Sequence, residues 1–395
     1  MMQEGNQKHS HTLGLYVHVP FCSSTCDFCA FYQERPSKKK IESYFLALNQ
    51  EMKGFQVDGL VDTVFIGGGT PGLLQAEELR NLCDSIERFG LASGVEWTIE
   101  LAPNEITPEK LSVLKKGGVN RISLGVQTFD SKLMKDLGRK HGPKKVYQAY
   151  QIIREAGFES VNLDLIFGIP HQTLEQWERD MKAAVELEPD HISTYCLTFE
   201  EDTALYYRLA KGELSIDPDK EAEFYERAWA FLPAVGYEQY EVSNFAKDGK
   251  QCIHNLNTWK MNEWIGVGPS ASSQFRCKRW KNPSNLEEWS AGVASGFGRD
   301  DYEDFQKLTL RDLAEDALLF GLRMNQGICL SDIDQRFGLS EKYLRELVQF
   351  VENLSEEGLA ERSNGWVRLT DSGRVRADAI AAEMPVRDAP RQHSG

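Results

Sequence analysis

The chain has 395 residues, 41% hydrophobic and 27% charged, an ordinary composition for a globular protein large enough for more than one domain. Its formal net charge of −15 argues against broad electrostatic binding to nucleic acid or anionic lipid, since both need a basic face. No apolar run is long enough to span a bilayer, and the polar first 12 residues lack the apolar stretch of a secretory signal, so the expected location is cytoplasmic, with peripheral attachment to the inner face of the membrane left open.

Residues 1–12 read as a flexible tail. A strand-like apolar run over 13–20 then leads into Cys22-Ser23-Ser24-Thr25-Cys26-Asp27-Phe28-Cys29, a C-x3-C-x2-C triplet. Thiolate is the preferred ligand of zinc and of iron–sulfur clusters, so three this close can hold one soft metal centre. A structural zinc site or an electron-transfer cluster usually takes four protein ligands. Three on a [4Fe–4S] cube leave one iron open to another molecule. A zinc knuckle completed by a distant fourth ligand is the competing reading. The remaining cysteines, Cys83, Cys196, Cys252, Cys277 and Cys329, show no pairing signature and read as buried small hydrophobes or bystanders.

Helical spacing follows over 38–53, and a strand over 62–66 runs into Gly67-Gly68-Gly69-Thr70-Pro71. A helix at 75–89, a strand at 96–101, a helix at 108–116 and a strand at 120–127 come next. Helices at 131–137 and 143–156, a strand at 160–167, a helix at 174–187 and a strand at 191–199 complete the series. Such alternation makes consecutive strands parallel. Six βα units are too few for a closed eight-fold barrel and predict an α/β fold, an open partial (β/α)6 barrel. Chemistry in these sheets collects at the C-terminal ends of the strands, where the triplet, the glycine run, Glu100, Gln127 and Asp164 all fall. Consecutive glycines let backbone approach a ligand closely, and polar groups buried at apolar strand ends are costly unless satisfied.

A helix is expected over 217–236, an extended segment over 237–245, and a stretch rich in Trp, Asn and Gly over 251–273. The barrel with its extension then covers 13–281, a linker 282–304, and a small C-terminal domain 305–383, before a disordered tail over 384–395. Within the small domain, helices at 330–337 and 340–359 and a strand at 365–370 have a winged-helix flavour. The acidic chain lacks the clustered basic residues of a DNA reader, so this domain reads as structural and no nucleic-acid partner is expected.

Tyr16-Val17-His18-Val19-Pro20-Phe21-Cys22, with Cys26 and Cys29, resembles the radical S-adenosylmethionine (SAM) superfamily. Within it the likeness is to the HemN/HemW group of oxygen-independent coproporphyrinogen III oxidases and heme chaperones, from about residue 13 to the 380s. The resemblance implies the partial-barrel fold with a C-terminal domain of the HemN/HemW type. It implies a [4Fe–4S] cluster on Cys22, Cys26 and Cys29, and SAM chelating the open iron. Gly68, Gly69 and Thr70 would then meet the methionine amino group, Glu100 the ribose hydroxyls, and Tyr16 would stand near SAM. Phe28, Gln127, Arg139 and Asp164 match positions that hold a second SAM or line the substrate side in the oxidase branch.

His254-Asn255-Leu256-Asn257-Thr258-Trp259 resembles the H-N-x-x-Y-W motif of the heme-chaperone branch, with Thr258 where that motif has Tyr. The resemblance implies His254 as a heme ligand, and histidine is an ordinary axial ligand of heme iron. Phe31 stands where the oxidase branch has a further cysteine, and only a short tail precedes the first strand. Both differences, with His254, favour the heme-chaperone branch. The expected function is heme binding and delivery to acceptor proteins, with a homodimer left open. The alternatives are a coproporphyrinogen III oxidase and a two-SAM radical methyltransferase.

Overall fold

The structure, a computed structural model, describes residues 12–57 and 59–384. The tails expected over 1–12 and 384–395 therefore lie outside the described residues, apart from Thr12 and Met384. Six parallel strands lie side by side in chain order: β1 (Leu13–Val19), β2 (Val61–Gly68), β3 (Leu91–Leu101), β4 (Arg121–Gln127), β5 (Ser160–Phe167) and β6 (His191–Cys196). Between them run α1 (Lys38–Gly54), α2 (Ala76–Glu87), α3 (Pro108–Lys116), α4 (Ser131–Asp136) with α5 (Pro143–Glu155), and α6 (Leu174–Glu186). This is the expected partial (β/α)6 barrel.

The strands alternate because successive side chains point to opposite faces. Leu15, Val17, Val64, Ile66, Ile99, Ile122, Leu124 and Leu163 lie in the main core beneath the helices. Tyr16, His18, Phe65, Glu100, Ser123 and Asp164 occupy the intervening positions and face the barrel interior. Helices begin where a short polar side chain accepts an orphan N–H: Ser37 from Lys40, Thr107 from Lys110, Asp130 from Leu133 and Thr173 from Gln176. Each cap is worth about 1 kcal/mol.

After α7 (Ala204–Ala210) and α8 (Pro218–Ala234), β7 (Glu238–Gln239) and β8 (Asn244–Ala246) extend the sheet antiparallel beyond β6. Then α9 (Ile253–Trp259) crosses the N-terminal ends of the barrel strands, packing on β1 and β2. The opposite edge gains β9 (Glu263–Val267) parallel to β1, followed by β10 (Ser272–Phe275), β11 (Lys278–Lys281) and β12 (Glu303–Lys307), all antiparallel. One twelve-stranded sheet results.

The stretch 282–304, expected as a linker, carries α10 (Leu286–Ser295) and the start of β12. Leu286, Trp289 and Val293 of α10 are buried in the main core, with the Trp289 ring 5.7 Å from that of Tyr44 on α1. Their spacing is that of a core-facing helix.

The C-terminal unit contains α11 (Leu310–Leu322), β13 (Ile328–Cys329), α12 (Leu330–Phe337), α13 (Glu341–Glu356), β14 (Ala360–Ser363) and β15 (Trp366–Leu369). Its antiparallel sheet, in the order β13-β15-β14, shares a separate core with the helices around Leu318, Leu347, Val351 and Val367, in the order of a winged helix. The unit docks under the barrel through Met261, Ala314, Ala317 and Phe337. Arg336 reinforces that contact by donating to the carbonyls of Lys260 and Met261, each at 2.8 Å. Among the described residues no helix is long and apolar enough to cross a membrane.

Candidate functional site

The cysteine loop is closed at its root. Phe21, fully buried, bridges to Glu34. The Cys22 N–H donates to the Glu34 carbonyl at 3.0 Å, and the Glu34 N–H to the Pro20 carbonyl at 2.7 Å. The far side is pinned as well. Asp27 N–H reaches the Leu137 carbonyl at 3.3 Å, and its own carbonyl accepts from Leu205 N–H at 3.0 Å. Inside the loop Cys29 N–H donates to the Cys26 carbonyl at 3.1 Å.

The glycine run packs against this loop at the end of β2, and its lack of Cβ atoms is structural. A Cβ on Gly67 would stand 2.6 Å from Glu100 Oε2. One on Gly69 would stand 2.8 to 2.9 Å from the backbone of Val19, Pro20 and Phe21. Gly68, with φ 102°, donates its N–H to Glu100 Oε2 at 3.3 Å. Thr70 Oγ1 lies 3.3 Å from Cys22 Sγ, and Gln33 Nε2 donates to Cys29 Sγ at 2.8 Å.

A cavity of about 210 Å³ opens at this point. It is lined by Cys22, Cys26 and Cys29, by Gly68, Gly69 and Thr70, and by Glu100, Phe28 and Arg139. Three buried polar atoms on its lining residues, Gln33 Oε1, Arg139 Nε and His141 Nε2, have no partner among the described residues. Buried polar groups are normally paired, so unpaired ones around one cavity fit a polar ligand. Burial pushes the Cys22 and Cys29 thiols up, opposed by the Thr70 and Gln33 hydrogen bonds. Such thiols become thiolates when a cationic centre compensates their desolvation. Glu100 is raised to about 8, first by burial and then by the charge of Asp164. Burial and the Arg139 charge hold His141 down at about 4, as a neutral ring.

Soft donors, a glycine cradle and unpaired polar atoms thus meet in one place, a set that fits a [4Fe–4S] cluster with SAM beside it. Among the described residues no three His, Cys, Asp or Glu side chains converge as they would on a single metal ion.

The structure brings nine of the expected site residues to this cavity, the three cysteines and six others. Tyr16 stands deeper in the barrel, its hydroxyl 3.2 Å from His18 Nδ1. Gln127, at φ 69°, and Arg139 both lie over Gly125, where an added Cβ would stand 3.0 Å from Gln127 Nε2 and 3.5 Å from Arg139 Nη2. Asp164 lies in the interior, accepting from Ser123 Oγ at 2.9 Å and Asn162 Nδ2 at 2.8 Å, and burial raises its carboxyl.

His254 is elsewhere. Its Nδ1 lies 2.9 Å from Thr63 Oγ1, and its ring centroid is 5.3 Å from that of Phe65. Thr63 is in register with Glu96, four residues before Glu100 on β3, which places His254 roughly 13 Å down the barrel at ~3.3 Å per residue. Gln33, Asn104, Lys140 and His141 also line the cavity, and the sequence reading did not single them out. Their available signal was adjacency: Gln33 follows Cys29 by four residues, Lys140 and His141 follow Arg139, and Asn104 follows the Glu100 strand.

Residues 16–184 match the Radical SAM superfamily, and residues 308–376 match the HemN C-terminal domain. The Bacillus subtilis heme chaperone HemW is 36% identical over 92% of this chain and 97% of its own length. The chain belongs to the HemW family. The Escherichia coli heme chaperone HemW is 38% identical over 92% of this chain and 95% of that one. In fold, this HemW-family chain is similar to the solved coproporphyrinogen III oxidase HemN of Escherichia coli, with a TM-score of 0.81 over 94% of this chain and 89% of that one at 24% identity. The superfamily match spans the barrel from β1 into α6, and the second match covers the C-terminal unit from just before α11.

Proposed function

We propose that this chain holds a [4Fe–4S] cluster on Cys22, Cys26 and Cys29, binds SAM beside it, and carries heme that it passes to acceptor proteins. The observation that carries the cluster and SAM is the cavity in which three thiols face the glycine cradle, the Glu100 carboxyl and three unpaired polar atoms. Heme carriage is supported by relatives at 36% and 38% identity that bear the name heme chaperone over nearly their full length. Phe31, in place of the further cysteine that resemblance to the oxidase branch would imply, supports it too.

Bound together and given an external one-electron donor, cluster and SAM would supply reductive cleavage of SAM. The chain's residues would bind and orient. The glycine run lets backbone reach the ligand, Glu100 takes the ribose hydroxyls, and the Arg139 guanidinium, 5.8 Å above the Phe28 ring, presents its unpaired Nε to the cavity.

The test is anaerobic reconstitution of the full chain, with iron and acid-labile sulfide measured, followed by hemin titration and transfer to an apo-acceptor. Expected are a broad iron–sulfur absorption that vanishes in Cys26→Ala, stoichiometric hemin binding, and transfer. Zinc without sulfide would overturn the cluster assignment. Turnover of coproporphyrinogen III to protoporphyrinogen IX without hemin binding would replace the carrier by the oxidase.

A further inference from the structure

Heme carriage requires a place for a large flat ligand, and neither end of the barrel interior provides it. The cavity at the cysteine loop, about 210 Å³, is smaller than the roughly 300–1,000 Å³ typical for drug-sized ligands, and SAM claims it. His254 is 7% exposed, held between Thr63 and Phe65. A Cβ on Gly14 would already stand 3.2 Å from its Cε1. No porphyrin face fits against this ring while α9 stays docked.

A cavity of about 720 Å³ lies beneath the barrel. Its walls are the start of β1, the β10–β11 hairpin and the C-terminal unit. Met261, Phe275, Leu313 and Phe337 make it apolar. At its edges Leu60 and Leu310 are each 56% exposed. Large aliphatic side chains left in water around one cleft fit an apolar occupant.

The polar groups are of few kinds. Arg276, stacked over the Phe275 ring, and Arg336, whose guanidinium also donates to the Lys260 and Met261 carbonyls, bring two positive charges, and Cys277 brings an exposed thiol. Arg276 and Cys277 form the hairpin turn, at φ 50° and 56°. The lining carboxylates Asp62 and Glu263 are engaged by the backbone N–H groups of Leu13 at 2.9 Å and Arg276 at 2.7 Å. An apolar slot with two cations and a soft sulfur donor suits a flat apolar macrocycle that carries two carboxylates and an iron.

We propose that heme is held in this cleft, with Cys277 Sγ on the iron and Arg276 and Arg336 facing the propionates, and that His254 is a structural residue of the barrel floor. The proposal rests on the heme-carrying reading above. On binding, the Cys277 thiol releases its proton to solvent as sulfur coordinates ferric iron.

Hemin titration of the full chain tests it, read by Soret position and affinity in wild type, Cys277→Ser, Leu313→Trp and His254→Gln. Wild type is expected to bind one hemin with a thiolate-type ferric spectrum. Cys277→Ser should shift the band, and Leu313→Trp, which fills the cleft without touching the thiol, should weaken binding at least about 10-fold. His254→Gln should leave the band where it is. Wild-type behaviour of both cleft variants, or a band that moves only in His254→Gln, would overturn the cleft and leave the heme-carrying reading standing. Absence of stoichiometric hemin binding by wild type would overturn both. A dimer that Leu310→Asp dissociates, with hemin binding unchanged, would give the cleft to a second copy of the chain.

Discussion

The mouth and the floor of the barrel are both lined with buried polar side chains, yet those side chains are in opposite states. At the floor they find each other. His191 Nδ1 lies 2.6 Å from Asn162 Oδ1, and its Nε2 lies 2.8 Å from the Tyr240 hydroxyl. The Glu96 carboxylate accepts from the first N–H groups of α9, Ile253 at 3.0 Å and His254 at 2.9 Å, where a helix has orphan donors. The floor has exceptions: Arg121 Nε, whose charge Cys252 and Glu96 favour, and Asn257 Oδ1 and Trp259 Nε1 on α9 are unpaired among the described residues. At the mouth Gln33, Arg139 and His141 each keep an unpaired buried atom around an open cavity. What marks the ligand site here is unsatisfied polarity gathered around an open cavity, whereas the floor's polar groups mostly satisfy one another.

The hardest blow to the mouth is Gly69→Ala, because the new Cβ would meet main chain at 2.8 Å and main chain gives way poorly. SAM binding by the reconstituted protein should weaken about 100-fold or more in equilibrium dialysis. Gly54→Ala, at a position with nothing within 4 Å of the added atom, is the control and should bind as wild type does. Equal binding by the two variants would mean that the glycine run is only a turn.

The floor should respond in stability instead. Glu96→Ala leaves the N–H groups of Ile253 and His254 without their acceptor, at a cost of about 3 kcal/mol for charge-assisted bonds. Denaturant melts should show that loss while iron and sulfide content stay at wild-type levels. Loss of the cluster at unchanged stability would break the division between the two ends.

Much of the mouth was legible in the sequence because it is local. Cys22, Cys26 and Cys29 lie within one short loop, and Gly67 to Thr70 directly follow an apolar strand. The βα alternation then placed Glu100 and Gln127 at strand ends by counting alone, whereas Asp164, also expected at a strand end, sits mid-strand in β5 because that strand runs on to Phe167. The floor was not legible, since Glu96 and His254 are 158 residues apart and only the closing of α9 across the strands joins them. The motif around His254 suggested a ligand by resemblance. The structure shows its backbone capped by Glu96, its Nδ1 by Thr63, and Asn257 Nδ2 donating to the Glu263 carbonyl at 3.2 Å. In 282–304 the apolar spacing of Leu286, Trp289 and Val293 was present, but the turn-like residues on both sides outweighed a helix only three turns long.

The smallest expected effect separates a satisfied buried carboxyl from the one at the mouth. Glu51, on the outer side of the barrel, accepts from Gly268 N–H at 2.8 Å and Asn282 Nδ2 at 2.7 Å. Burial outweighs those bonds and lifts its carboxyl to about 7. The unfolded chain ionises this group near its ordinary value, so between about pH 4.5 and 7 the folded protein holds the extra proton. Stability from this group is therefore present at low pH and lost as pH rises through that window. Glu51→Gln should remove the loss, so that stability at pH 8 relative to pH 5 is higher in the variant than in wild type by about 2–3 kcal/mol. His18 and His254, held near 4 by burial, act in the opposite sense over the lower part of the window, but equally in both proteins, and cancel in the difference. Saturating SAM should leave the Glu51 difference unchanged, because no bond of Glu51 reaches the mouth, whereas the titration of Glu100, raised to about 8, should move. A Glu51 difference that disappears with SAM would couple the outer face of the barrel to its mouth and remove the basis for treating them as independent.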